Sequence, residues 1–313
     1  MATIKYGNFF NDANLTITGS DDADSISPSS STQRGNDTIF GNAGNDTINT
    51  ANGTNSVDGG VGDDTITGGS GADTLTGGLG NDTIIGNAGN DTITGGDGND
   101  VIYGDDVFLT STGINTIDAG AGDDTIYSSS GVTSLIGGAG IDSVTLYGTA
   151  DVTLNLTTAG IESIVSGGGN DNLDGSGSSA AFTVLVGNGG NDTIRGSAFD
   201  DVIYGDDVFN TGAGNDTIYA FDGSDTLVAV LAGTTEIAAD APVNPVPYAQ
   251  HANMAANLIG RTGWQGVGVD QYVYSVFLRG SDVPSCAGTN RTSEPQSPPL
   301  RSRRNRACAR HRP

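Results

Sequence analysis

The chain has 313 residues, 50 of them glycine, with 37 acidic side chains against 12 basic and a formal net charge of −25. That balance excludes a nucleic-acid-binding surface, which needs basic side chains against phosphate, and so much glycine excludes a chain built mainly of helices. Both cysteines (Cys286, Cys308) and both histidines (His251, His311) fall in the last third, so neither disulfides nor soft-metal ligands support the rest, and no window is long and apolar enough for a transmembrane segment.

In chain order, residues 1–18 read as an N-terminal cap strand region, with no apolar run of the signal-peptide kind in MATIKYGNFFNDANLTITG. Residues 19–228 are one array of nine-residue repeats, opened by a degenerate copy, GSDDADSIS, at Gly19–Ser27. Eight consecutive nonads run from Thr32 to Tyr103, among them GNAGNDTIN, GGVGDDTIT, GGLGNDTII and GGDGNDVIY. An insert near 104–109 (GDDVFL) precedes four nonads from Thr110 to Thr145, and a looser stretch at 146–165 reads as a further insert. The frame returns with SGGGNDNLD at Ser166–Asp174 and continues through SSAAFTVLV, GNGGNDTIR and GSAFDDVIY to Tyr204. A third insert, near 205–210 (GDDVFN), precedes the last two nonads, which end at Val228. DVIYGDDVF occurs at Asp100–Phe108 and again at Asp201–Phe209, the mark of an internal duplication laid over the nine-residue period. Residues 229–283 read as a C-terminal capping or export-associated region and 284–313, rich in Pro, Ser and Arg, as a disordered basic tail.

Within a nonad, position 4 is nearly always Gly, position 6 nearly always Asp and position 8 aliphatic, as in Ile39, Ile48, Val57, Ile66, Leu75, Ile84, Ile93 and Ile102. This divides each repeat into a six-residue turn, where glycine permits positive φ and lets carbonyls converge, and a three-residue strand. The strand turns position 8 inward and the Thr-rich positions 7 and 9 outward. Pairs such as Thr65/Thr67, Thr74/Thr76 and Thr92/Thr94 are read as a solvated β face. A single strand cannot bury its one aliphatic side chain alone, so the copies must stack. Two nonads make one coil, which places Asp46, Asp64, Asp82 and Asp100 along one edge and Asp37, Asn55, Asp73 and Asp91 along the other.

A column of carboxylates repeated every ~4.8 Å repels itself unless cations enter. Residues 1–228 carry 32 acidic and three basic side chains, so the array brings almost no counter-charge of its own. Calcium suits such a column, because it accepts carboxylates and backbone carbonyls together in irregular cages of six to eight oxygens, whereas magnesium demands strict octahedra. These tandem GGxGxDxUx repeats, U being aliphatic, resemble the RTX, or haemolysin-type, calcium-binding repeat family, over roughly residues 19–228. The resemblance implies an all-β, parallel β-roll (a β-solenoid), calcium held between turns of alternate nonads, type I secretion of the unfolded chain to the extracellular space, and folding in external calcium. Carried over position by position, the ligands are Asp37, Asp46, Asp64, Asp73, Asp82, Asp91, Asp100, Asp124, Asp142, Asp171, Asp192, Asp201, Asp216 and Asp225. Asn55, Asn115, Thr133 and Thr183 stand where Asp belongs, so weak or empty sites are expected there, with roughly five to eight ions in all at millimolar-class affinity.

Other signals are set aside. The N-D-T sequons follow from the repeat itself. Asn170–Gly175 starts like an EF-hand loop but has Ala181 at loop position 12, and no HExxH or triad-forming His lies in the array. The expectation is a non-enzymatic, secreted calcium-binding protein with calcium, the export machinery and cell-surface components as partners. The alternatives are a calcium-dependent adhesin or surface-layer module, or the accessory repeats of a secreted enzyme or toxin. The basic C-terminal end departs from the apolar and acidic export signals usual in such proteins.

Overall fold

The structure, a computed structural model, describes residues 2–6, 14–28, 34–106, 113–129, 132–206, 214–221, 225–228, 236–238 and 276–277. The chain divides into two units, Met1–Arg279 and Gly280–Pro313, and every described residue belongs to the first. The readings placed on 229–235, 239–275 and the basic tail therefore lie outside the described residues.

The nonads alternate between two faces of a β-solenoid in which every strand pair is parallel. One face is an unbroken twelve-stranded sheet, formed in order by Ala2–Tyr6, Asp24–Pro28, Thr47–Asn49, Thr65–Thr67, Thr83–Ile85, Val101–Tyr103, Thr125–Ser129, Ser143–Tyr147, Ser163–Val165, Val184–Val186, Val202–Tyr204 and Thr226–Val228. The opposite face is split. Seven strands run from Thr16–Thr18 to Val132–Ala139, and six more run from Thr153–Asn155 through Asn172–Asp174, Thr193–Arg195 and Thr217–Tyr219 to Glu236–Ala238 and Val276–Phe277.

Register follows the apolar position. Ile48, Ile66, Ile84, Ile102, Ile126, Val144, Ile164, Leu185, Ile203 and Leu227 are successive partners along the unbroken sheet, and Ile39, Val57, Leu75, Ile93, Ile117 and Leu135 along the seven-stranded one. All are buried, and together they form one continuous core cluster. A one-residue slip in any strand would turn its aliphatic side chain to water and its Thr residues inward, which fixes the stacking.

The turns stack too. Position 4 donates its N–H to the position 3 carbonyl of the next coil, as in Gly44 to Val61, Gly62 to Leu79 and Gly98 to Ala121, at 2.7–2.8 Å. Position 5 adds a side-chain ladder. Asn45 Oδ1 accepts from the Asp63 N–H at 3.1 Å, Asp63 Oδ1 from the Asn81 N–H at 2.8 Å and Asn81 Oδ1 from the Asn99 N–H at 2.8 Å. The sequon asparagines Asn36, Asn45, Asn81, Asn90 and Asn191 are thus acceptors for the neighbouring coil.

Three departures from the sequence reading appear, each with a local cause. Residues 146–165, expected as an insert, lie within the solenoid: Thr153–Asn155 and Ser163–Val165 are strands on opposite faces, joined by the single helical turn Leu156–Ala159. Asn155 caps this turn by accepting from the Thr158 N–H, Gly160 closes it at φ 61°, and Leu156 and Ala159 are buried. Thr133, expected in a ligand slot, is instead the extra residue of a bulge, because Asn115 pairs with Val132 and Thr116 with Ser134. Thr183 is likewise displaced: Phe182, one residue earlier, is buried and its N–H takes the place in the hydrogen-bond column that Asp occupies elsewhere, leaving Thr183 exposed.

Candidate metal centre

The position 6 carboxylates form columns along the two edges of the solenoid, and a hydrogen bond fixes each one. In fourteen of them Oδ1 accepts from the backbone N–H of the residue one coil earlier. Along one edge the donors Asp24, Asp46, Asp64, Asp82, Asp100 and Asp124 bond to Asp46, Asp64, Asp82, Asp100, Asp124 and Asp142 at 2.7–2.9 Å. The Asp142 N–H then donates to Glu162 Oε2 at 2.9 Å. Further on, Phe182 donates to Asp201 and Asp201 to Asp225. Along the other edge Leu15, Asp37, Asn55, Asp73 and Asp91 donate to Asp37, Asn55, Asp73, Asp91 and Asn115. Past the sheet break, Val152, Asp171 and Asp192 donate to Asp171, Asp192 and Asp216. All fourteen sequence-predicted carboxylates therefore stand in the columns.

The second oxygen is the chemically available one. Oδ2 of Asp46, Asp64, Asp82, Asp91, Asp100, Asp124, Asp142, Asp171, Asp192 and Asp216 is buried and has no hydrogen-bond partner. A buried, unpartnered carboxylate oxygen is costly, and a row of them requires an explanation. All but Asp124 and Asp171, whose turns open on Ala119 and Ser166, face the first glycine of a turn. A β-carbon added at Gly41, Gly59, Gly77, Gly86, Gly95, Gly137 or Gly187 would lie closer than 3.0 Å both to the Oδ2 of its own turn's Asp and to a carbonyl of the next coil; at Gly59 these are Asp64 Oδ2 and the Gly77 carbonyl. Glycine there leaves a pocket lined by converging oxygens.

Position 2 sorts the turns. In turns that keep Oδ2 open, this residue is often left-handed, as in Asn42 (φ 80°), Gly60 (φ 111°), Gly78 (φ 124°) and Gly96 (φ 129°), a region that favours Gly and tolerates Asn. In three others it stays outside that region and its N–H points at the carboxylate. Gly69 donates to Asp73 Oδ2 at 3.0 Å, Ser197 to Asp201 Oδ2 at 2.6 Å and Ser20 to Asp24 Oδ2 at 2.6 Å. Asp73 and Asp201 thus keep their column positions with Oδ2 already engaged.

Sequence reasoning missed two members of the column. Asp24, fully buried, sits at position 6 of the degenerate first copy. Glu162 sits at position 6 of a frame marked by Gly160 at position 4 and Ile164 at position 8, a legible signal masked by the unusual length of the preceding stretch.

The electrostatics are those of a site built for a cation. Burial pushes the Asp64, Asp91 and Asp100 carboxyls from 3.8 up to about 7, Asp142 to about 6 and Asp192 to about 8, with neighbouring carboxylates adding to the rise and the column N–H opposing it. Burial likewise raises Asp46, Asp73, Asp82, Asp124, Asp171, Asp201 and Asp216.

Among the described residues no three His, Cys, Asp or Glu side chains gather into a metal cluster. The donor set is instead one carboxylate per turn with backbone carbonyls from the adjoining coil, all hard oxygens. Such a set fits calcium and offers nothing to softer metals. Among the described residues no helix is long and apolar enough to cross a membrane. Comparison with curated proteins yields no match. The family model for the RTX calcium-binding nonapeptide repeat matches residues 31–57, 50–84, 76–107, 103–134, 156–179, 186–207 and 204–229. Its two gaps, 135–155 and 180–185, coincide with the interrupted sheet and the Phe182 slot. With more than half of the chain matched and the repeat geometry in place, the protein belongs to the RTX calcium-binding nonapeptide repeat family.

Proposed function

We propose that this is a secreted, non-enzymatic protein that folds as calcium fills its turns. The observation that carries the reading is the row of ten buried Oδ2 atoms without a hydrogen-bond donor, seven of which (Asp46, Asp64, Asp82, Asp91, Asp100, Asp142 and Asp192) face a glycine-lined pocket that a carbonyl also enters. Calcium supplies the positive charge that 32 acidic and three basic residues in 1–228 do not supply among themselves. The proposed ligands are Oδ2 of Asp46, Asp64, Asp82, Asp91, Asp100, Asp124, Asp142, Asp171, Asp192 and Asp216 with the facing carbonyls. Asp37, Asp73, Asp201 and Asp225 are secondary positions. A role outside the cell accords with millimolar-class sites, which fill only where calcium is abundant. A non-enzymatic role accords with an array whose polar side chains are committed to ladders and columns.

Far-ultraviolet circular dichroism of the full chain, titrated with calcium and in parallel with magnesium, tests the reading. A coil spectrum that converts to β with calcium at sub-millimolar to millimolar concentration, and not with magnesium, is expected. A fully formed β spectrum in excess chelator would refute metal-coupled folding.

A further inference from the structure

The duplicated segment DVIYGDDVF brings a six-residue insert into the sequence at two places, and both put an Asp at position 2, where the other described turns carry residues such as Gly, Asn, Ala or Ser. These residues, Asp105 and Asp206, are 0% and 1% exposed. Asp105 Oδ2 accepts from the Ser129 N–H at 2.7 Å and the Ser128 hydroxyl at 3.5 Å, and its Oδ1 accepts from Asn115 Nδ2 at 3.4 Å. Asp206 Oδ1 accepts from the Gly214 N–H at 3.1 Å. Each adjoins a pocket of the kind described above. The Gly104 carbonyl converges with the unpartnered Asp91 Oδ2 in front of Gly86, and the Gly205 carbonyl with the unpartnered Asp192 Oδ2 in front of Gly187. Asp91 and Asp192 are themselves only 1% exposed. Asn115 links the first pair, its Oδ1 accepting from the Asp91 N–H and its Nδ2 donating to Asp105 Oδ1. The column position opposite Asp91 is Asn115, which brings no charge, whereas opposite Asp192 it is Asp216.

We infer that Gly104–Asp105 and Gly205–Asp206 complete a distinct class of calcium site with Asp91 and Asp192, in which Asp105 and Asp206 add a carboxylate that ordinary turns lack, Asp105 replacing the charge missing at Asn115. The inference rests on the calcium reading above. Calcium affinity rises with the number of charged ligands, so these two sites fill ahead of the ordinary turns, one in each copy of the duplication.

Chelator-competition titration of the full chain with calcium tests this, with circular dichroism at saturating calcium reading folding separately. Two ions are expected to bind ahead of the rest, at calcium about tenfold lower. Asp105→Asn and Asp206→Asn each remove one ion from this leading class, the double variant removes both, and Asp106→Asn leaves it intact. Adding Asn115→Asp to Asp105→Asn restores the lost ion, which a purely structural role for Asp105 as acceptor for Ser129 does not predict. A wild-type chain with no leading pair, a double variant that keeps the pair, or a failed rescue overturns the inference. A wild-type chain that binds no calcium at all overturns the calcium reading itself.

Discussion

At the scale of the residue, the two oxygens of one aspartate have separate tasks. Oδ1 takes the N–H of the coil before it and fixes the side chain; Oδ2 faces the glycine pocket. The Gly and Asp positions were legible in the sequence because the repeat keeps them in place. Which turns leave Oδ2 open was not. The turns GGVGDD at Gly59–Asp64 and GGSGAD at Gly68–Asp73 read alike, yet Gly60 is left-handed and Gly69 is not, and only the Gly69 N–H reaches its carboxylate. One peptide orientation decides between a carbonyl-rich pocket and a capped carboxylate, and both residues are glycine. The expected consequence is an asymmetry between two similar substitutions. Asp64→Asn deprives a pocket of its charged oxygen and should raise the calcium midpoint of folding several-fold. Asp73→Asn alters a carboxylate whose Oδ2 is already engaged and should shift it less. Calcium titrations of the two variants side by side check this, and equal shifts would remove the distinction.

At the scale of the element, each three-residue strand contributes one aliphatic side chain, and the stack makes a core that none has alone. Ile84 is fully buried between Ile66 and Ile102. Ile84→Ala should cost about 2–4 kcal/mol, measured by urea unfolding in saturating calcium. A loss below about 1 kcal/mol would mean that the coils collapse around the gap. The same logic explains the divided face. Asn115, Val132 and Val152 follow one another in that column, and between the strands Val132–Ala139 and Thr153–Asn155 no pairing forms among the described residues. The opposite edge has Asp124, Asp142 and Glu162 over the same coils, and its sheet runs on unbroken. The strand-and-turn alternation was legible throughout the regular array. The coil at 146–165 was not, because Val152 stands at its position 6, Leu156 adds a residue, and the bond that holds its register is a backbone ladder with no sequence signature.

At the scale of the whole molecule, stacking aligns like charges along both edges, so protons and calcium compete for the same oxygens. The carboxyls of Asp64, Asp91, Asp100, Asp142 and Asp192 sit at about 6–8 in the folded chain against 3.8 ordinarily. The folded state therefore binds protons more tightly than the unfolded one. For the metal-free chain, their contribution to stability is fully present below about pH 4 and is lost as the pH rises through about 6–8. Metal-free protein should gain β structure as the pH is lowered towards 5 and lose it above 8, the reverse of the usual response of a protein whose carboxylates are salt-bridged. With calcium the sign inverts, because the ion binds the deprotonated form. A site whose carboxyl titrates near 7 is about 90% protonated at pH 6 and about 10% protonated at pH 8, which weakens its apparent calcium affinity about tenfold at the lower pH. Circular dichroism midpoints in calcium at pH 6 and pH 8, with a chelator series across the same range, measure both effects on one sample. A calcium midpoint unchanged between the two pH values would show that the column carboxylates are not the groups the ion displaces protons from, and the carbonyls would then have to carry the binding alone.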